Sequence, residues 1–293
     1  LEDFLRLRDD KLLSLEAFTD PEEGVPAVKI ENGCFAQDID EHECVLEDID
    51  VEVSTGELVV VVGHQEGRTS LLKAILGELA DCNGYKGDSS SSPTINGKVA
   101  FVPPSGESKD GIFRGSWTDN VTFGQKPNGP RVDEAMEAAA LKGDRNIPSL
   151  DAMIDSGGGN ISGGQAQRIT IARAVYSGAD VYIFDDPLSA LDAAKKKIIW
   201  DNLTKKKLKD KTKIISVDFS KFTYWDELPE KHQILVMGKS KNPQVMTIIN
   251  KDETSYEQVK KQCFKDLACF KDLEEHSKSE GAEKCNKVGG GPA

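Results

Sequence analysis

Cysteine pairs, clustered histidines, an excess of basic charge and long apolar runs are all missing from this sequence. Its six cysteines (Cys34, Cys44, Cys82, Cys263, Cys269 and Cys285) include no C-x-x-C pair. Their spacing suggests neither a zinc site nor a disulfide framework, so they read as reduced thiols of a cytosolic compartment. His42, His64, His232 and His276 are scattered and make no metal constellation. The formal net charge of −13 argues against a nucleic-acid surface, which would need basic side chains to meet the phosphates. Lysines gather at 195–197 and 205–213, and these read as solvated faces. No apolar run approaches the roughly 18–20 residues of a membrane helix. The densest, Leu58 to Val62, reads as a core strand. Residues 1–8 carry acids and no sustained apolar stretch, so no cleavable signal peptide is expected. The chain starts without Met and ends in Gly-Gly-Gly-Pro-Ala, which reads as a soluble fragment of a longer protein.

What is present is material for a core. Of the 293 residues, 38% are hydrophobic, enough for one large domain or two small ones. The most informative stretch runs from Asn160 to Asp192. Ser162-Gly163-Gly164-Gln165 opens a segment in which Ile161, Ile169, Ala172 and Val175 recur near helical spacing. Ser162 is a good N-cap, the glycines allow close approach to the backbone, and a helix N-terminus attracts anions. The run Val181-Tyr182-Ile183-Phe184 fits a buried parallel strand and ends in Asp185-Asp186-Pro187. A carboxylate at the C-terminal end of such a strand is where a phosphate-handling enzyme holds Mg²⁺.

Each piece alone is weak, but the ordered composite is specific. Signature SGGQ, helix, ARA, apolar strand, DDP, then Ser189-Ala190-Leu191-Asp192 closely resembles the ATP-binding cassette (ABC) family. The wording ARAVYSGADVYIFDDPLSALD is most similar to the first cassette of the multidrug-resistance-associated and chloride-channel branch. The resemblance covers about residues 28–250. It implies an α/β fold: a P-loop, RecA-like parallel sheet with an antiparallel β subdomain and an α-helical signature subdomain at about 104–178. Residues 1–27 then read as a linker helix and linker, with Phe4, Leu7, Leu12, Leu15 and Phe18 near helical spacing. Residues 251–293 read as a closing amphipathic helix and a disordered tail.

Read against that family, several positions depart. A Walker A loop is G-x-x-x-x-G-K-[ST], in which backbone N–H groups and a Lys hold phosphates and the hydroxyl meets Mg²⁺. Here it is Gly63-His64-Gln65-Glu66-Gly67-Arg68-Thr69-Ser70, one residue short between its glycines, with Arg68 for the Lys. Glu66 adds an anion, worth ~3 kcal/mol of repulsion at ~5 Å and an effective dielectric of ~20. The adenine-stacking aromatic is replaced by Gln37, with Phe35 as a substitute only if it faces outward. The Q-loop Gln is Pro104, which can neither ligate Mg²⁺ nor donate a hydrogen bond. Asp186 takes the place of the general-base Glu, one methylene short. Asp218 stands where the switch His would touch γ-phosphate, and His232 belongs to a different edge. The polar insertion 82–94 reads as a loop. Cys44-Val45-Leu46 and Ile49-Val51-Val53 read as two separate strands.

The resemblance assigns ATP and Mg²⁺ as cofactors. It puts Gly63 to Ser70 on the nucleotide, Thr69 and Asp185 on the metal, and Ser162 to Gln165 with Ser189 and Asp192 on the partner cassette's nucleotide. The implied partners are a second nucleotide-binding domain and transmembrane domains, at the cytosolic face of a membrane. No nucleic acid is implied, and the isolated domain could form a weak homodimer. The expected function is the first cassette of an exporter-type transporter, silent at its own site and donating an intact signature. A competent ATPase cassette and a nucleotide-free interaction module remain as alternatives. A soluble ABC protein of translation or repair is disfavoured by the acidic charge and the lack of sustained heptads.

Overall fold

The computed structural model describes residues 20–37, 44–82, 92–147, 149–237 and 245–250, the last of these as backbone. The expected N-terminal helix, most of the polar insertion and the closing helix lie outside the described residues.

The centre is a six-stranded sheet in the order β12-β11-β3-β10-β9-β6. Its members are β3 (Leu58–Gly63), β6 (Val99–Val102), β9 (Val181–Phe184), β10 (Thr212–Ser216), β11 (His232–Met237) and β12 (Val245–Asn250). All neighbouring pairs are parallel except β11 with β12. The runs of β3, β6 and β9 are apolar at nearly every position because both faces of a parallel sheet are covered. Side-chain alternation sends them to two cores. Leu58, Val60, Val62, Tyr182 and Phe184 join one core, and Val59, Val61, Val181 and Ile183 join the other.

The second core is closed by α1 (Gln65–Ile75) and an antiparallel sheet. That sheet orders β2 (Leu46–Val53), β1 (Val28–Ala36) and β4 (Ala80–Asp81), with β5 (Thr94–Ile95) also pairing β1. The two strands expected over 44–53 are one strand, β2, irregular at Asp48, whose φ is 51°. Its register with β1 shifts on either side of Gly33, which is how a bulge absorbs an extra residue.

The first core carries the helices. A small antiparallel pair of β7 (Gly115–Ser116) and β8 (Met153–Ile154) flanks α2 (Trp117–Thr122). Next come α3 (Gly129–Ala138) and α4 (Gly163–Ser177). Ile169 and Ala172 of α4 are fully buried, as their spacing predicts. The helix expected from Lys195 to Leu203 is α5 (Ala193–Asp201), followed by one wider turn at Asn202–Lys206. The fold is therefore α/β, with a RecA-like parallel core sheet, antiparallel strands and helical segments, consistent with an ABC cassette fold.

Candidate functional site

The C-terminal ends of β3, β9 and β10 converge, and that is where open α/β sheets bind ligands. Asp185 follows β9 directly and is only 3% exposed. Burying a carboxylate requires partners, and both oxygens have them. Ser216, the last residue of β10, donates to Oδ1 at 2.5 Å, and Thr69 of α1 donates to Oδ2 at 2.8 Å. The Asp185 N–H donates to the Val102 carbonyl at 2.9 Å. The two residues expected at the metal, Thr69 and Asp185, are thus in direct contact.

Asp186 is next, in the left-handed region at φ 42°. Its N–H donates to Ser216 Oγ at 2.9 Å. Burial pushes its carboxyl above the usual range; Arg68 and a Ser189 hydrogen bond pull it down, while Asp218 and Asp185 add to the rise. Asp218 behaves oppositely. Burial pushes it up, but hydrogen bonds from Ser220 and Lys221 together hold it below the usual range. Ser220 Oγ donates at 2.7 Å, and Lys221 Nζ lies 3.0 Å from the other oxygen. Asp186, Ser189, Asp218 and Lys221 line one cleft with Leu188 and Phe222.

The glycine-flanked segment after β3 has a different shape from the expected loop. Gly63 has φ 104°, and a Cβ there would come within 2.0 Å of the Met237 carbonyl oxygen, so only glycine fits. The His64 N–H donates to that same oxygen at 3.1 Å. Then α1 begins at once, at Gln65, and the Arg68 N–H returns to the His64 carbonyl at 3.0 Å. Gln65, Glu66 and Gly67 therefore form the first helical turn rather than an open loop. A segment one residue short, filled with good helix formers, winds up early. The Glu66 carboxylate is 90% exposed, so water screens the repulsion expected of it. Arg68 is only 5% exposed, and its Nε and Nη1 have no hydrogen-bond partner. Its charge acts on Asp186.

Ser162 caps α4 with a reciprocal pair. Its Oγ accepts from the Gln165 N–H at 3.1 Å, and Gln165 Oε1 accepts from the Ser162 N–H at 2.8 Å. The donors left at this helix end are the Gly163 and Gly164 N–H groups. A Cβ on Gly164 would sit 3.2 Å from the Ala190 carbonyl, so the signature and the 189–192 turn are packed together. Asp192 caps α5, accepting from the Lys195 N–H at 3.0 Å.

Other expected positions fall outside this cluster. Phe35 is 1% exposed and joins the core, so it offers no stacking face, while Gln37 is exposed. His232 pairs with Leu58 at the opposite ends of the strands, buried against the Pro229 carbonyl. Sequence reasoning missed Ser216, Lys221 and Ser105, whose hydroxyl lies 3.0 Å from that of Ser189. Only the strand register, which sets Ser216 opposite Val61, reveals the first of these. No described helix is long and apolar enough to cross a membrane.

A family model described as ABC transporter matches residues 46–189. ATP-binding cassette sub-family C member 2 of Rattus norvegicus is 37% identical over 218 residues, covering 73% of this chain and 13% of that protein. ABC transporter C family member 9 of Arabidopsis thaliana is 36% identical over 214 residues, covering 72% of this chain and 13% of that protein. Multidrug resistance protein mrp-7 of Caenorhabditis elegans is 38% identical over 196 residues, covering 64% and 12% respectively. The chain thus spans about an eighth of the length of these relatives.

Proposed function

The chain belongs to the ABC transporter family as a nucleotide-binding domain related to sub-family C members, and from that premise we propose that it is the first cassette of an exporter-type transporter. Family membership brings ATP and Mg²⁺ binding, ATPase potential, and work alongside a second cassette and transmembrane domains. In this reading the domain's own nucleotide site is degenerate, and its signature completes the partner cassette's ATP site.

The observation that supports this is the contrast between two helix N-termini. The α4 end presents Gly163 and Gly164 N–H groups behind a capped serine, a site ready for an anion. The α1 end is wound tight from Gln65, and the charge of its buried cation, Arg68, acts on the protein's own Asp186. The residues fit Mg²⁺-nucleotide in part. Thr69 and Asp185 would hold the cation, and the first-turn N–H groups with Arg68 would meet phosphate. With Gln37 exposed and Phe35 in the core, neither of the two expected positions offers adenine a stacking face. Nor do Pro104 and Asp218 supply the contacts that a γ-phosphate needs in its transition state. The bound cation would screen phosphate charge; the chain's own residues would position it without completing hydrolysis.

The test is calorimetric titration of the chain with Mg²⁺-ATP, beside Arg68→Ala and Asp185→Ala. Weak binding reduced by both substitutions, without steady phosphate release, is the expected result. Steady Mg²⁺-dependent release abolished by Asp185→Ala would establish a competent ATPase instead. No heat at high-micromolar ATP would leave a nucleotide-free module.

A further inference from the structure

The antiparallel sheet gathers three cysteines that are far apart in sequence. Cys34 lies on β1, Cys44 just before β2, and Cys82 just after β4. The Cys34 and Cys44 sulfurs are 3.4 Å apart. Both sulfurs and a carboxylate oxygen of Glu47 lie within 4.8 Å of one another. Strand register explains the meeting. Phe35 pairs with Leu46 on one side and with Asp81 on the other. One step along on the β4 side, Cys34 meets Cys82; on the β2 side the register shifts at this step, next to Glu47. The Cys82 N–H continues that ladder, donating to the Cys34 carbonyl at 2.8 Å. Directly opposed residues share a face. This is the face away from the core that Phe35 and Leu46 fill. Here Cys34, Cys44 and Cys82 form a separate buried cluster with Ala36, at 2%, 8% and 7% exposure.

We propose that Cys34, Cys44 and Glu47 bind a soft divalent cation of the zinc class. Two thiolates on one tetrahedral zinc, each ~2.3 Å from it, lie about 3.7–3.8 Å apart. The observed separation needs a shift of only a few tenths of an ångström. It is far from the ~2.05 Å of a disulfide. Thiolates also select zinc over the hard cations Mg²⁺ and Ca²⁺. Glu47 is only partly buried, which leaves an entry path from solvent. On binding, each thiol releases its proton and the cation ties β1 to β2 and the segment just before it.

The test is a Co²⁺ titration of the chain carrying Cys263→Ser, Cys269→Ser and Cys285→Ser, read by visible absorption and followed by Zn²⁺ displacement. One equivalent with a thiolate-to-cobalt charge-transfer band, displaced by zinc, is expected. Cys34→Ser and Cys44→Ser should each weaken binding by at least ~10- to 100-fold, and Glu47→Gln by about 10-fold, with melting curves of the metal-free variants checking that each still folds. The proposal is overturned by no charge-transfer band at stoichiometric cobalt, by a band indifferent to Cys44→Ser and Glu47→Gln, or by a Cys34–Cys44 disulfide recovered in its place.

Discussion

Single residues at the strand ends carry two testable consequences. Ser216 is fully buried and serves two neighbours at once, donating to Asp185 and accepting from the Asp186 N–H. Ser216→Ala strands a buried carboxylate and a buried N–H, so unfolding in urea should register a loss of about 2–3 kcal/mol. Asp186 is the opposite case. Its carboxyl is raised, chiefly by burial, so the folded state prefers it protonated. An acid whose folded pKa exceeds its unfolded value destabilises the fold once ionised. Its contribution improves as pH falls from the raised folded value towards the ordinary 3.8. Asp186→Asn removes that dependence and still tolerates the left-handed backbone. The variant should be more stable than the parent at neutral pH and flatter across this window. A variant less stable at pH 7 would show that Asp186 is held by Arg68 more strongly than burial opposes it.

At the scale of elements, the start of α1 is the sensitive joint. Gly63→Ala drives a methyl into the Met237 carbonyl at a backbone angle that L-residues avoid. Strain and clash together should cost about 3 kcal/mol or more, seen as a lowered melting temperature. At α4, Ser162→Ala removes one arm of the capping pair. About 1 kcal/mol should be lost, and Ser162→Thr should restore most of it.

These elements also show what a bare chain can disclose. The valine run of β3, the β9 run ending in Asp185-Asp186 and the Ser162 cap are local patterns, and each is legible because one segment carries the whole physical cause. The early start of α1 was hidden because a glycine-to-glycine interval reads as a loop by analogy, while helix propensity and the Met237 carbonyl decide it. Ser216 and the cysteine cluster were hidden for another reason. Both depend on which strands lie side by side, and cysteine spacing along the chain says nothing about distance across a sheet.

At the scale of the molecule, one buried ion pair joins the signature helix to the segment after α3. Arg168 Nη2 lies 2.6 Å from Asp144, and both side chains are under 10% exposed. Arg168 also donates to the Ala140 carbonyl at 2.6 Å. Burial pushes the Asp144 carboxyl up, but the Asn146 N–H and Arg168 outweigh it and hold it below its ordinary value. A depressed carboxylate stabilises the fold above its unfolded pKa, and that contribution fades as pH falls through the folded value. Its loss therefore falls below about pH 4. Asp144→Asn leaves a buried guanidinium without its counter-charge. A loss of roughly 3 kcal/mol is expected at neutral pH, together with a shallower acid-unfolding curve.

Asp185 ties several elements together: its carboxylate accepts from Ser216 and Thr69, and its backbone N–H donates to the Val102 carbonyl, so three strands and a helix meet at this one residue. Because all of these bonds are made within the protein, we expect folding to be separable from nucleotide occupancy in this domain. On the function proposed above, a mutation that weakens ATP contact elsewhere in the site would leave the scaffold and α4 standing. In the function proposed above, such a scaffold would lose its own chemistry by small steps and persist as a structural half of its partner's site.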